Sequence, residues 1–279
     1  MVYIWLVLLG LCFGSFINAL TWRVHKQESL SKKDRQKHTE YSIIKGRSMC
    51  TKCKHELGFF DLIPFFSFVV LRGKCRYCHK KIDDNPLVEL FMPVAFVVSY
   101  YFWPVAVMGK EIPLFALWLV ILVGLGALFV YDLRWMILPN RVVFPLIAIA
   151  SAWVPLTYFR DGGNLLQIIL DAVVGIAICS GFFWILFQVS GGKWIGGGDV
   201  KLGLILGLLS GGLAGSLLIL FTASITGTFV SLPLAISSKQ GGKYKLPFGP
   251  FLIVGLVITR LFGAVIIHWY KKNILYSVY

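Results

Sequence analysis

Two aspartates, Asp132 and Asp199, are the residues of this chain whose type and position most favour catalysis. Each lies at the edge of a long apolar run, where an ionisable group costs enough free energy to indicate a function. Two aspartates held within a few ångströms cannot both ionise easily, so one keeps a proton while the other is charged. Such a pair can take a proton from water, which attacks an amide carbonyl, and protonate the departing group. The two residues therefore predict an aspartic hydrolase.

Few acidic residues compete for this role, because only six follow residue 86: Glu89, Glu111, Asp132, Asp161, Asp171 and Asp199. Taken singly, each aspartate also has a simpler interpretation. Asp199 could cap a helix that starts at Val200, as aspartate often does. Asp132 could be a solvated loop residue paired with Arg134. Glu89, at the start of an apolar segment, is a third candidate for the catalytic pair.

Three glycines, Gly196, Gly197 and Gly198, directly precede Asp199. Glycine has no side chain to clash, so the backbone here can turn tightly and approach another chain closely. We therefore expect a narrow loop in which an extended substrate reaches Asp199. Lys201, just beyond it, is expected to anchor at the membrane surface.

Four cysteines form a second candidate site. They stand in the segments CTKC and CRYC, with 21 residues between the two pairs: Cys50, Cys53, Cys75 and Cys78. Two C-x-x-C pairs at about this separation supply four thiolates to tetrahedral zinc. A site closed by four thiolates leaves no open position on the metal, so the zinc is expected to stabilise the fold. Two disulfides are the alternative, and a reducing compartment disfavours them.

The remaining histidines and cysteines near these motifs or in the apolar runs have simpler roles. His55 and His79 are close to the cysteine pairs, but four thiolates complete a zinc site, so both are expected to be surface residues. Cys12 and Cys179 lie within apolar runs and are expected to pack as small apolar side chains.

The composition predicts a membrane protein. The chain has 279 residues, of which 57% are apolar and 14% charged, and its mean hydropathy is +0.77. The net charge of +14 could suggest a nucleic-acid partner, but basic residues of membrane proteins collect on cytoplasmic loops and set the orientation. We therefore expect membrane lipid, and no nucleic acid, around this chain.

The apolar runs predict an all-α polytopic protein of about eight transmembrane helices. The run 202–236 contains 35 residues without a charge. As one helix it would be about 52 Å long, against a hydrocarbon core of about 30 Å, so we expect two short helices that meet at Gly211 and Gly212. The other spans are expected near residues 2–22, 87–108, 113–131, 141–159, 165–189 and 248–268.

The charges give this arrangement an orientation and three parts. Residues 23–86 carry 15 Lys and Arg against 7 Asp and Glu, so this insert is expected in the cytoplasm. The first basic residue, Arg23, follows the first apolar run, which favours a retained helix with its N-terminus outside over a cleaved signal peptide. The predicted parts are a first helix at 1–22, the zinc-binding insert at 23–86 and a membrane domain at 87–279. Asp132 and Asp199 then both lie at cytoplasmic ends of spans.

Several motifs resemble those of the type IV prepilin peptidases, a branch of the intramembrane aspartyl peptidases. GGGDVKLG at 196–203 contains the G-x-G-D motif of that class. The similar segments occur in the family's order from residue 13 to about 255: FGSFINALTWR at 13–23, RSMCTKC at 47–53, DLIPFFSFVVLRGKCRYC at 61–78, PLVELF at 86–91, YDLRWMILPN at 131–140 and LPFGPFL at 246–252.

The resemblance implies a membrane aspartic endopeptidase of the bacterial cytoplasmic membrane, with Asp132 and Asp199 as its catalytic pair. In that family the enzyme removes the short basic leader of prepilins or pseudopilins, after a glycine on the cytoplasmic side. The resemblance also implies a zinc-binding insert and N-methylation of the new N-terminus with S-adenosylmethionine. The sequence itself contains no recognisable site for this methyl donor.

Two other classes of protein remain as alternatives. Asp132 and Asp199 could form a proton or cation relay in a transporter, although both are predicted near one face and no inverted repeat is visible. The chain could also be a membrane anchor whose zinc insert binds a cytoplasmic partner. Substitution of each aspartate with asparagine distinguishes these possibilities, because a peptidase loses cleavage, a relay often keeps binding, and an anchor tolerates both changes.

Overall fold

Most of the described residues lie in helices. The computed structural model describes residues 1–31, 41–43, 46–82, 86–237 and 246–275. Within these ranges there is no β-strand, and only two isolated bridges occur, Met49–Glu56 and Lys74–Lys81. The helices are α1 Val2–Ser29, α2 Phe66–Val70, α3 Pro86–Tyr101, α4 Glu111–Trp135, α5 Asn140–Ser151, α6 Trp153–Asp161, α7 Leu165–Ser190, α8 Gly197–Leu209, α9 Leu213–Ser237 and α10 Gly249–Tyr270.

The helices confirm an all-α polytopic membrane protein but not the count of eight spans. Six segments of the described chain are long and apolar enough to cross a membrane. They are Val2–Ser29, Glu111–Trp135, Asn140–Asp161, Leu165–Ser190, Leu213–Pro233 and Gly249–Asn273. The expected span at 87–108 corresponds to α3, which ends at Tyr101, and the first half of 202–236 corresponds to α8, which has 13 residues. Both helices are shorter than the roughly 20 residues of an ordinary span.

The chain divides into two compact units, Met1–Tyr101 and Phe102–Tyr279. The first unit holds α1, α2, α3 and the cysteine pairs. In it α1 packs closely on α3 through Gly10 and Gly14, where an added Cβ would lie 2.6 Å from the Pro93 nitrogen and the Glu89 Cα, respectively. Small residues four positions apart allow such close contact between membrane helices. The predicted three-part division of the chain stays a prediction.

The second unit holds α4 to α10. Its core includes the fully buried side chains of Trp118, Leu125 and Leu128 on α4. The predicted break within 202–236 is present, because α8 ends at Leu209 and α9 begins at Leu213. Gly211 and Gly212 have φ angles of +73° and +96°, which other residues rarely adopt.

Close packing of α7 against α8 sets the position of Asp199. Gly203 on α8 lies against the α7 backbone, since an added Cβ would be 2.7 Å from Ser180 Cα and 2.8 Å from the Cys179 carbonyl oxygen. The Ser180 hydroxyl also donates to the Val200 carbonyl oxygen at 2.8 Å. These contacts hold the first turn of α8, which carries Asp199, beside α7.

Gly203→Ala is therefore expected to lower the free energy of unfolding by about 1–3 kcal/mol, because overpacking against a fixed backbone forces the helices apart. Thermal unfolding of the detergent-solubilised protein measures the change. Gly181→Ala on α7 is the matched control, since no atom lies within 4 Å of its added Cβ. An equal unfolding temperature for the two variants would contradict the proposed packing role.

Candidate active site and metal centre

Asp132 lies in the last turn of α4 and is buried, with 5% of its surface exposed. Its own carbonyl oxygen accepts the Met136 N–H at 2.8 Å. Met136 adopts a left-handed conformation with φ of 54°, so the helix stops one turn after Asp132. This burial does not fit the simpler interpretation of Asp132 as a solvated loop residue.

Asp199 lies in the first turn of α8, where it is partly buried. Its Oδ2 lies near Gly196, the residue that precedes the helix, 3.9 Å from the position of an added Cβ. Asp199 is thus the third residue of α8 and not the cap before Val200 that its simpler interpretation proposed. Its second carboxylate oxygen, Oδ1, is left for another role.

The two carboxylates converge at Gly249, the first residue of α10. An added Cβ on Gly249 would lie 2.5 Å from Asp132 Oδ2 and 3.8 Å from Asp199 Oδ1. The two oxygens are therefore separated by no more than the sum of these distances. The backbone of Gly249 also hydrogen-bonds to the Asp132 carboxylate. The structure thus brings together the two aspartates that the sequence predicted as partners.

Helix α10 reaches this position because it packs against both α4 and α8. Phe248, the residue before the helix, makes an edge contact with the buried Phe183 of α7 at a ring-centroid distance of 5.9 Å. Pro250 follows Gly249 at the start of the helix, a position that proline favours. The sequence LPFGPFL thus fixes a helix start beside the aspartates.

The three glycines before Asp199 lie at the start of α8 and directly before it. None of them has a positive φ, and the tight turn lies earlier, at Gly191 and Gly192 with φ of 58° and 76°. Gly198 lies within α8 and packs on Leu138, whose Cβ would be 3.0 Å from an added Cβ. This contact holds the start of α8 against the α4–α5 connection. A role for Gly196, Gly197 and Gly198 in substrate binding stays a prediction.

Two other polar residues named from the sequence have defined contacts. Lys201 donates to the Asn140 side-chain oxygen at 2.7 Å and lies over the Phe144 ring, so it links α8 to α5. Glu89 accepts the Phe65 N–H at 2.6 Å, so in the first unit it joins α3 to the insert. Glu89 therefore has a structural contact that explains its position.

The four predicted zinc ligands form one cluster. The sulfur atoms of Cys50, Cys53, Cys75 and Cys78 all lie within 4.8 Å of one another, and the sulfurs of Cys50 and Cys78 are 3.9 Å apart. Tetrahedral zinc with Zn–S bonds of about 2.3 Å requires sulfur separations of about 3.8 Å. All six cysteines are free thiols, so the structure does not form the alternative disulfides. The cluster can hold a metal ion.

The two cysteine pairs have the same backbone geometry. In each, the N–H of the residue after the pair donates to the first cysteine's carbonyl oxygen, from Lys54 to Cys50 and from His79 to Cys75, both at 2.9 Å. Lys54 and His79 both have left-handed φ angles, of 59° and 55°. His55 and His79 are exposed and lie outside the metal-binding group, which confirms the prediction that both are surface residues.

Asp61 supports the second pair from outside the cluster. Its buried carboxylate accepts the Arg76 Nε at 2.7 Å and the Gly58 N–H at 3.2 Å. The hydrogen bond from the Arg76 guanidinium lowers the pKa of Asp61. The charged carboxylate therefore ties the turn at 58–62 to the segment that carries Cys75 and Cys78.

Comparison with known proteins assigns the family. Residues 8–103 match the family described as the bacterial peptidase A24 N-terminal domain, and residues 114–232 match the type IV leader peptidase family. A prepilin leader peptidase/N-methyltransferase of Vibrio cholerae is 30% identical over 270 residues, which cover 93% of this chain and 97% of that protein. The chain belongs to the type IV leader peptidase family.

Further members of the leader peptidase family are similar over nearly the whole chain. The prepilin leader peptidase/N-methyltransferase of Pseudomonas aeruginosa is 28% identical over 279 residues, covering 95% of this chain and 92% of the relative. That of Pectobacterium carotovorum is 29% identical over 269 residues, covering 92% and 91%. No solved structure matches the chain. The family supports the peptidase interpretation, and nothing in these comparisons supports a transporter.

If the cysteine cluster holds one zinc ion, Cys75→Ser is expected to lose most of the bound metal and to expose the insert to proteolysis. A structural zinc site contributes directly to folding, and Cys75 is among the most buried ligands, with 2% exposed. Elemental analysis of the purified protein gives the metal content per chain. Cys12→Ser, which changes an exposed cysteine outside the cluster, should keep it. A full metal content in Cys75→Ser would contradict this assignment.

Proposed function

We propose that this chain is a membrane aspartic endopeptidase that removes the basic leader from type IV prepilins or pseudopilins, with Asp132 and Asp199 as the catalytic pair. The observation that carries this proposal is the convergence of the two carboxylates on Gly249. Helix ends distant in the sequence place both groups at one point. The leader peptidase family, whose relatives are named for prepilins, supplies the substrate class.

The proposed reaction uses water and the two carboxylates alone. The charged carboxylate takes a proton from a water molecule, whose oxygen forms a bond to the carbonyl carbon of the scissile peptide. The protonated carboxyl group gives its proton to the departing nitrogen as the C–N bond breaks. The leader leaves with a new carboxylate, and the mature protein begins with a new amine. One proton enters the pair and one leaves it, so the pair is ready for another cycle.

Gly249 has a supporting role in this proposal. Its backbone hydrogen bond fixes one oxygen of Asp132, and the absence of a side chain leaves space where the two carboxylates meet. An extended peptide needs such space, because its backbone must come within hydrogen-bond distance of both groups. Gly196, Gly197 and Gly198, which also lack side chains, would keep the loop beside Asp199 narrow enough for the peptide to reach this residue.

We further propose zinc as the metal of the cysteine cluster and S-adenosylmethionine as a second substrate. Four thiolates at these distances suit a closed structural zinc site, and the donor set fits. The relatives' name includes N-methyltransferase, so the new amine would be the methyl acceptor, and S-adenosylmethionine would supply the methyl group. We assign no residues of this chain to that second step.

We propose that the cysteine insert and both aspartates lie on the cytoplasmic side and that the N-terminus lies outside. The excess of lysine and arginine in residues 23–86 supports this orientation. Three further lysines that support it, Lys239, Lys243 and Lys245, lie outside the described residues. A leader cut on this side would be removed before the mature segment leaves the membrane.

A defined substrate tests the proposed function. It would carry a basic leader that ends in glycine, followed by an apolar helix, and would be incubated with membranes that contain the protein. We expect a single cut after the glycine, located by mass spectrometry, and a gain of one methyl group on the product when S-adenosylmethionine is added. A substrate with phenylalanine in place of that glycine is the control and should remain intact. Absence of cleavage, or cleavage at other bonds, would contradict the proposal.

A further inference from the structure

A second polar site lies at the end of the helical unit opposite the aspartates. Glu111 is the first residue of α4 and Asp132 lies near its last, so the two are about 31 Å apart at 1.5 Å per residue. Around Glu111 is a cavity of about 620 Å³, which we call the Arg260 cavity. Its charged lining residues are Lys110, Glu111, Arg160, Asp161 and Arg260, and the hydroxyl-bearing residues Ser210 and Thr259 also line it.

The two carboxylates of this cavity are already paired with one arginine. Arg160 donates to both oxygens of Asp161, at 2.6 and 2.9 Å, and to Glu111 at 3.2 Å. The Trp103 indole N–H donates to the second oxygen of Glu111 at 3.4 Å. These contacts place the acidic groups around Arg160 and leave Arg260 and Lys110 as additional positive charges.

Two tryptophan rings hold the guanidinium of Arg260. Its guanidinium lies over the Trp153 ring at 4.2 Å and the Trp103 ring at 5.5 Å. Cation–π contacts of this kind hold the faces of the guanidinium plane and leave its N–H edge available. The Nε of Arg260 is buried and has no hydrogen-bond partner among the described residues.

Thr259 adds a second unsatisfied donor to the same cavity. Its residue is 8% exposed, and the hydroxyl oxygen is buried with no hydrogen-bond partner in the described part of the chain. Buried polar groups without partners are costly. Two of them on neighbouring residues that line one cavity indicate that a ligand or ordered water completes their hydrogen bonds.

We propose that the Arg260 cavity binds a phosphate group, and that an anionic phospholipid headgroup supplies it. A planar guanidinium edge binds phosphate oxygens in pairs, and the Thr259 hydroxyl adds a third donor. Three cationic side chains and two carboxylates line the cavity, and this net positive charge favours a ligand with a net negative charge. The apolar residues Met108, Ala264 and Ile267 also line the cavity, and they suit the glycerol and first methylene groups of a lipid. This proposal does not depend on the peptidase reaction.

Native mass spectrometry of the detergent-solubilised chain tests the proposal. Phosphatidylglycerol would be titrated against the wild type, Arg260→Gln and Lys271→Gln, with phosphatidylcholine of the same acyl chains in parallel. We expect wild type and Lys271→Gln to bind phosphatidylglycerol equally, and Arg260→Gln to bind it at least about tenfold more weakly. Lys271 is a matched control, because it is an exposed cation just after α10 and outside the cavity.

A second arm distinguishes the source of the phosphate. Displacement of the bound lipid from wild type by inorganic phosphate at millimolar concentration would support the phosphate site. It would, however, identify the free anion as the ligand instead of the lipid headgroup. Thr259→Val is a second test variant in case Arg260→Gln misfolds, because valine keeps the shape of the threonine side chain. We expect Thr259→Val to bind phosphatidylglycerol severalfold more weakly than wild type. Equal binding of both phosphatidylglycerol and inorganic phosphate to wild type and Arg260→Gln would overturn the proposal.

Discussion

Asp132→Asn and Asp199→Asn are each expected to lower the rate of leader cleavage by at least about a thousandfold. Each substitution keeps the size of the side chain but removes a group that the proposed reaction uses to take or give a proton. The proposed reaction needs one carboxylate to accept a proton and the other to donate one, so a variant with a single carboxylate cannot complete it. The measurement is the initial rate on a prepilin-like substrate in membranes with equal amounts of protein.

Asp171→Asn is the matched control for this pair. Asp171 also lies within a long apolar helix, but its carboxylate accepts the Gln167 amide N–H at 3.3 Å and lies near Gly212 at the break between α8 and α9. The Asp171→Asn variant should cleave the prepilin-like substrate at the wild-type rate. Near-normal cleavage by Asp132→Asn or Asp199→Asn, with unchanged metal content, would contradict the assignment of the catalytic pair.

Gly249→Ala is expected to reduce kcat/KM by about a hundredfold. The added Cβ would lie 2.5 Å from Asp132 Oδ2, which is too close for two unbonded heavy atoms. Asp132 must therefore move, and displacement of a catalytic group by about 1 Å can cost a factor of 10². Steady-state kinetics of the purified enzyme measure the change.

Gly181→Ala provides the comparison for Gly249→Ala. Both glycines lie in helices without a positive φ, and alanine is the better helix former, so neither change should weaken its helix. Only the Gly249 substitution brings a Cβ against a carboxylate. Equal activity of the two variants would show that space at Gly249 does not matter for the reaction.

The features predicted correctly from the sequence depend on short-range patterns. The two C-x-x-C pairs and their spacing predict a thiolate cluster because the metal geometry constrains both. The break at Gly211 and Gly212 follows from the length of a charge-free run and the conformational freedom of glycine. The proximity of Asp132 and Asp199 follows from the scarcity of acidic residues along the membrane segments, whereas their catalytic role stays a prediction.

The contacts between distant helices could not be predicted in the same way. Gly249 was visible in LPFGPFL as part of a motif, but only the packing of α10 on α4 and α8 brings it to the aspartates. Likewise, Glu111 begins α4 and Asp161 ends α6, and only the packing of these helices lets both carboxylates share Arg160. Hydropathy records where a chain is apolar, not which faces of its helices meet.

The number of spans illustrates the same limit. The predicted span at 141–159 is present as α5 and α6, which divide at Ala152, while α3 and α8 are too short for ordinary spans. Both short helices pack closely on a neighbouring helix at a glycine, α3 at Gly14 of α1 and α8 at its own Gly203. An apolar run indicates that a segment is buried, but it does not distinguish burial in lipid from burial in protein.

We propose that Asp132 and Asp199 together bind the oxygen of the tetrahedral intermediate that forms when water attacks the scissile carbonyl. The most direct test compares the affinity of two uncleavable leader peptides, one with a secondary alcohol at the scissile position and one with a methylene. We predict that wild type binds the alcohol at least about a hundredfold more tightly, and that either asparagine substitution removes this preference while leaving the methylene peptide's affinity unchanged. An absent preference in wild type, or one that persists in either variant, would contradict the claim.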